Sequence, residues 1–160
     1  MSRGPRRMMK EMLMQLVRNS VVHGVEAPEE RAAKGKDETG VICLSIKTEK
    51  DMIHIRLRDD GGGMNYDKIR QKALESGFIK SEAEGQDKNK LLHFIFSPGF
   101  STAETETVHG GRGIGLNIVR DKVKELGGTL KIQSEKDKGT AFHLYIPLPS
   151  EASAQEKAAS

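Results

Sequence analysis

Residues 52–65, MIHIRLRDDGGGMN, alternate apolar and polar side chains and then run two aspartates into three glycines. A period of two marks a half-buried strand, because successive side chains point to opposite faces. Parity puts Ile53, Ile55, Leu57 and Asp59 on one face and His54, Arg56, Arg58 and Asp60 on the other. Asp59 therefore points to the apolar side of the sheet, the side helices cover. A carboxylate there is costly unless something hydrogen-bonds it, and a ligand amino group is one such donor. Capping of the glycine turn by Asp59 is the alternative reading, and it stays open at this point. Asp60, of opposite parity, reads as a solvated or turn residue. Gly61 and Gly63 free the backbone for conformations closed to other residues and for close approach to a flat ligand.

Working outward, Ile42, Leu44 and Ile46 alternate with Cys43, Ser45 and Lys47, a second strand that pairs with the first across TEKD, 48–51. TLKIQSE and TAFHLYI flank the turn KDKG, 136–139, as a second hairpin. Helical spacing of Met9, Met12, Leu13, Leu16 and Val17 predicts a helix from about Pro5 to His23, stopped by Gly24. Residues 26–40, EAPEERAAKGKDETG, read as a polar loop with a short helix begun at Pro28. DKIRQKALESG closes a helix on Gly77, and Leu116, Val119, Val123 and Leu126 mark another. This order predicts an α+β two-layer sandwich: a mixed, largely antiparallel sheet with helices on one face, one domain over 1–149. Residues 78–111 read as a long loop with one apolar anchor, LLHFIF; a loop of that length points to a functional lid. Residues 150–160 have no apolar period and read as a disordered tail.

Composition narrows the function. Of 160 residues, 26 are Lys or Arg and 23 are Asp or Glu, so the net charge of +3 gives no case for nucleic-acid binding. Aromatics are 4% and Trp is absent, which leaves base-stacking platforms poorly supplied. The single Cys43 excludes an internal disulfide framework and fits a reducing, cytoplasmic compartment. No apolar run approaches the roughly 18 residues needed to span a bilayer, and the basic start MSRGPRRMMKEMLMQ lacks the features of a signal peptide.

A second glycine cluster, GGRGIGLNIVR at 110–120, leads into a helix. Such backbone presents N–H groups and a partial positive charge to phosphate. No G-x-x-x-x-G-K-[ST] loop occurs, GRGIGL follows no strand, and the H-R-D and D-F-G elements of Ser/Thr kinases are absent. On the first helix Gln15, Asn19 and His23 stand at i, i+4 and i+8 with Arg18 beside them. An Asn oxygen there suits Mg²⁺, while a solvated helix face is the plain alternative. Lys68 and Lys72 share a helical face just after the Asp-Gly segment, a pair that could reach phosphates or be plain surface lysines.

Four stretches in order carry a resemblance: QLVRNSVVHGVE from Gln15, DDGGGMN from Asp59, FIFSPGFSTAE from Phe94 and GGRGIGLNIV from Gly110. They resemble the N, G1, F and G2 boxes of the ATP-binding domain of chemotaxis histidine kinases of the CheA type. That group is shared with DNA gyrase, Hsp90 and MutL, and the resemblance covers about residues 12–148. It implies the Bergerat fold and ATP with Mg²⁺ as cofactors. Asp59 would bind the adenine amino group, assisted through water by Thr140, with Gly61, Gly63 and Met64 framing the base. Asn19 would hold Mg²⁺, with Gln15 also placed as a metal ligand and catalytic group, and Arg18 and His23 nearby. Lys68 and Lys72 would approach the phosphates. Gly111, Arg112, Gly113, Ile114, Gly115 and Leu116 would wrap the triphosphate.

Two positions depart from the resemblance: Gln15 stands where His is usual, and Ala103 where a lid lysine is common. The implied activity is transfer of the ATP γ-phosphoryl group to a histidine on a separate phosphotransfer domain. A response regulator would lie downstream and receptor-coupling domains would be further partners. A non-catalytic ATP-binding module and an anti-sigma-factor-type serine kinase are the alternatives.

Overall fold

The structure, a computed structural model, describes residues 3–97 and 116–148. Both hairpins form where the alternation places them. β1 (Ile42–Glu49) and β2 (Met52–Asp59) turn at Lys50, whose φ of 52° lies in the left-handed region. β3 (Thr129–Glu135) and β4 (Gly139–Pro147) turn around Asp137, with a φ of 61°. The sheet order is β1-β2-β4-β3 and all three ladders are antiparallel. β2 and β4 lie centrally, so the strand that ends in Asp59 is held from both sides.

Five α-helices accompany the sheet among the described residues: α1 (Arg3–Asn19), α2 (Pro28–Ala33), α3 (Tyr66–Glu75), α4 (Lys88–Phe94) and α5 (Leu116–Glu125). Met12 and Leu16 of α1 and Val119 and Val123 of α5 bury against Ile53, Ile55 and Leu57 of β2. Phe142, Leu144 and Ile146 of β4 complete this core. Each such side chain contributes roughly 1.5–3 kcal/mol by leaving water, which fixes the strand parity and with it the inward direction of Asp59. A second small core joins Ile69 and Ala73 of α3 to Ile79 and Leu91, and Met64 packs against both cores.

Two elements differ from the sequence reading. The first helix keeps its regular ladder only to Asn19, and Ser20–Gly24 winds as a π-helix. The wider turn rotates Ser20 inward onto the end of β2 and interrupts the i, i+4, i+8 face at His23. The segment from 78 onward is also less open than a loop. Residues 84–86 form a 3₁₀ turn, and α4 buries Leu91 against α3. Asp87 caps α4 by accepting from the Asn89 and Lys90 N–H groups, a start signal hidden within the charged stretch.

Candidate functional site

Asp59 ends β2 with 2% of its surface exposed. Its Oδ1 accepts from the backbone N–H of Gly61 and of Thr140, each at 3.1 Å. Its Oδ2 accepts from the Ser20 hydroxyl at 2.9 Å. Among the described residues no cation pairs with it. A carboxylate offers about four acceptor positions, so three donors leave one on Oδ2 for an outside N–H. Asp59 thus caps the glycine turn and retains one unused acceptor position, so the cap does not displace the ligand reading.

Ser20 is the residue that sequence reasoning missed. It sits at the end of a run of helical residues, and only the π turn aims its hydroxyl at Asp59. Gly24 leaves room for the carboxylate: a Cβ there would stand 3.1 Å from Oδ2. Thr140 is buried, and its hydroxyl lies 3.0 Å from that of Ser134, which accepts from the Met64 N–H at 2.7 Å. The start of β4 and the glycine loop are therefore tied through Asp59 and Ser134 together.

The glycines answer first to the protein's own backbone. A Cβ on Gly61 would overlap the Gly24 carbonyl, and one on Gly63, at φ +72°, would overlap the Glu135 carbonyl. The Gly62 N–H donates to the Gly24 carbonyl and the Asp137 N–H to the Gly62 carbonyl. The loop is clamped between the π turn and the β3–β4 turn, which accounts for so open a backbone behind Asp59.

Asp60 is not a solvated turn residue. It grips Arg31, which is 1% exposed, with Nη2 donating to Oδ2 at 2.9 Å and Nη1 to Oδ1 at 3.2 Å. Its Oδ1 also accepts from the Val41 N–H. Arg31 donates further to the Asp37 carbonyl and to Glu26. Lys36 donates to Glu26 and to the carbonyls of Asp60 and Gly61, at 2.9 and 2.8 Å for the last two. Lys34 bridges Glu26 and Asp137. The polar 26–40 segment is thus an ion network that braces the Asp59–Gly62 loop from below. Parity had Asp60 facing away from the core, correctly; its partner comes from 29 residues earlier, which no local pattern shows.

This network sets an acid limit on stability. Burial pushes the Glu26 carboxyl up, but hydrogen bonds from Lys36, its own backbone and Lys34 outweigh that and hold it at about 2, below the usual 4.5. Asp60 is likewise lowered: burial opposes, while the Val41 N–H and Arg31 prevail. A folded pKa below the unfolded one gives stability that is complete above the unfolded value and lost as pH falls through the folded one. The melting temperature of the wild-type chain should therefore drop steeply between about pH 4.5 and 2. Glu26→Gln, melted over the same range, should start lower at pH 7 and show a shallower acid slope.

On α1, Gln15 Nε2 donates to Asn19 Oδ1 at 3.2 Å, so these two half-buried residues form one pair. Arg18 and His23 are exposed, His23 within the π turn. A concavity of about 800 Å³ runs along α1, with Gln15 and Arg18 in its lining and Asp59 outside it. On α3, Lys68 is exposed and Lys72 half-buried, one turn apart beyond the Asn65 cap. Among the described residues no cluster of three or more His, Cys, Asp or Glu could hold a metal ion. A neutral Asn oxygen with open surroundings suits a cation that takes its other ligands from phosphate and water. Leu116 opens α5, half-buried; Gly111, Arg112, Gly113, Ile114, Gly115 and Ala103 lie outside the described residues, as does the lid beyond residue 97.

Residues 6–150 match the family described as histidine kinase-, DNA gyrase B-, and HSP90-like ATPase. The chain belongs to that family. Among its relatives it is 43% identical over 137 residues to the chemotaxis protein CheA of Bacillus subtilis and 44% over 136 to that of Borreliella burgdorferi. It is 40% identical over 137 residues to the sensor histidine kinase CheAY of Helicobacter pylori. Each match takes in 85% of this chain but only 20%, 16% and 17% of the relative, so the chain spans about a fifth of their length. The histidine kinase domain of the Erythrobacter litoralis blue-light kinase covers 94% of the chain and is itself 46% covered. At 16% identity and a TM-score of 0.49 that likeness carries no argument.

Proposed function

We propose that this chain is the ATP-binding catalytic domain of a CheA-like histidine kinase. The observation that carries the reading is Asp59: buried, without a cation partner among the described residues, and holding an unused acceptor position at the end of a central strand. In this reading Asp59 takes the adenine amino N–H and is held in place by Ser20, Gly61 and Thr140. Met64, which links the two cores, sets one wall beside the base. Asn19, paired to Gln15, supplies the protein oxygen for Mg²⁺, and that ion when bound neutralises charge on the phosphates. Lys68 and Lys72 come at the phosphate chain from α3, and residues 111–116 close over it.

Phosphoryl transfer asks little covalent chemistry of a protein, so these residues act by positioning and by charge. The acceptor is a histidine on a phosphotransfer domain outside these residues, with a response regulator as next recipient and receptor-coupling domains as further partners. Among the described residues no helix is long and apolar enough to cross a membrane, and we place the reaction in the cytoplasm.

The test is incubation with γ-labelled Mg-ATP, with and without a histidine phosphotransfer domain. Acid-labile label on that domain is the expected result. Acid-stable label would indicate a serine kinase, and bound but untransferred ATP a regulatory module. Gln15 sharpens the test, since glutamine offers an oxygen but no titratable group. At saturating ATP, Gln15→His should raise the transfer rate about tenfold or more with little change in ATP affinity. An unchanged rate would show that this position does not limit the reaction.

A further inference from the structure

The sheet face opposite Asp59 carries a charge pattern that the nucleotide site does not use. Register aligns three rows across β1, β2, β4 and β3: Lys47–His54–Tyr145–Thr129, Ser45–Arg56–His143–Lys131 and Cys43–Arg58–Ala141–Gln133. Four cations stand in these rows and no carboxylate does. None of Lys47, Arg56, Arg58 or Lys131 forms an ion pair among the described residues, and Arg56 Nε is buried without a hydrogen-bond partner.

Several cations elsewhere are paired, Arg7 with Glu11, Lys36 with Glu26, Arg70 with Asp67 and Arg120 with Asp121. Beyond these rows the same face carries Glu49 at one end and Glu135 at the other, so the single sign belongs to the three rows and not to the whole face. At the centre lie stacked rings, His54 on Tyr145 at 4.4 Å with 8° between planes and His54 near His143 at 5.4 Å. His143 Nε2 lies 3.2 Å from Gln133 Oε1 and its Nδ1 3.1 Å from His54 Nε2, so the ring is engaged at both nitrogens. Burial lowers the His143 pKa, and nearby His54, Arg56 and Lys131 lower it further, as an uncompensated positive field would.

We propose that this open sheet face docks a carboxylate-rich surface of a partner protein. Charge complementarity carries the choice. Lys47 and Lys131 stand three strand spacings and one row apart, about 16 Å, too wide to converge on one phosphate and wide enough for a helix about 10–12 Å across. The arginine forks of Arg56 and Arg58 match carboxylates in pairs. Tyr145 stacks on His54 and has Lys131 Nζ 5.7 Å from its ring centroid, so its ring is already engaged and is poorly placed to stack a nucleic-acid base. This face does not depend on the kinase reading.

The test uses a fluorescein-labelled glutamate decamer as probe, followed by anisotropy at low salt and by amide chemical shifts of the whole chain. The expected result is binding that weakens with salt, with shifts confined to the three rows. Arg58→Glu with Lys131→Glu should lose at least about tenfold in affinity. Lys10→Glu with Lys124→Glu, which changes net charge equally on the helix side, should stay within about twofold. Melting curves establish that both variants fold. Equal losses in the two variants, shifts outside the rows, or no binding would overturn the proposal. So would tighter binding of a single-stranded decanucleotide through the same rows.

Discussion

Asp59→Asn will abolish measurable ATP binding while the chain stays folded. The substitution turns one carboxylate oxygen into an amide NH₂, and each oxygen now accepts from a fixed donor: Gly61 and Thr140 on Oδ1, Ser20 on Oδ2. With its NH₂ at the Oδ1 position the amide meets the Gly61 and Thr140 N–H groups; with its NH₂ at the Oδ2 position it can donate to the Ser20 hydroxyl, which turns to accept, but it then presents a donor where the base amino group needs an acceptor. The stability cost of one mispaired buried group is about 1–3 kcal/mol. The affinity loss should exceed about a hundredfold, because a site built to bond a substrate N–H discriminates strongly once that bond is gone. Calorimetry with a parallel melt checks both. Ser20→Ala should lose affinity by a smaller factor, since the carboxylate survives and only its orientation is freed.

Arg31→Met should give the opposite profile. Methionine fills much of the volume but leaves Asp60 and Glu26 without their buried partner, and removing one member of a buried ion pair is strongly destabilising. A melting temperature lower by roughly 10 °C at pH 7 is expected. ATP binding measured well below that midpoint should survive with reduced affinity, because Lys36 still holds the Asp60 and Gly61 carbonyls. Asp60→Asn should resemble Arg31→Met rather than Asp59→Asn. On the proposed reading, adjacent aspartates of opposite parity would separate in these measurements into one that serves the ligand and one that serves the fold.

The sequence made some of this readable and concealed the rest for identifiable reasons. The alternation through Ile53, Ile55 and Leu57 set the face of Asp59, because one buried side of a sheet tolerates no slip of one residue. The hairpins, the Gly77 stop and the helix opened by Pro28 were local signals and formed as such. Arg31 was not readable: its partner Asp60 is supplied by the fold, and a charged residue in a polar stretch looks solvated. Ser20 was hidden by an assumption of uniform 3.6-residue winding, which the π turn breaks. The helix at 88–94 was obscured by flanking charges, although its Asp87 cap was present. The second glycine cluster, from 110, lies outside the described residues, so its reading stands where the sequence left it.

The most direct measurement is titration of the wild-type chain with Mg-ATP and with Mg-ITP, which differ in the group at C6 of the purine. ATP places an amino N–H before Asp59, whereas ITP presents a carbonyl oxygen to the carboxylate. ATP is expected to bind at least about a hundredfold more tightly than ITP, with Asp59→Asn erasing the difference. Equal affinity for the two nucleotides in the wild-type chain would contradict the assignment of Asp59 as the group that reads the base.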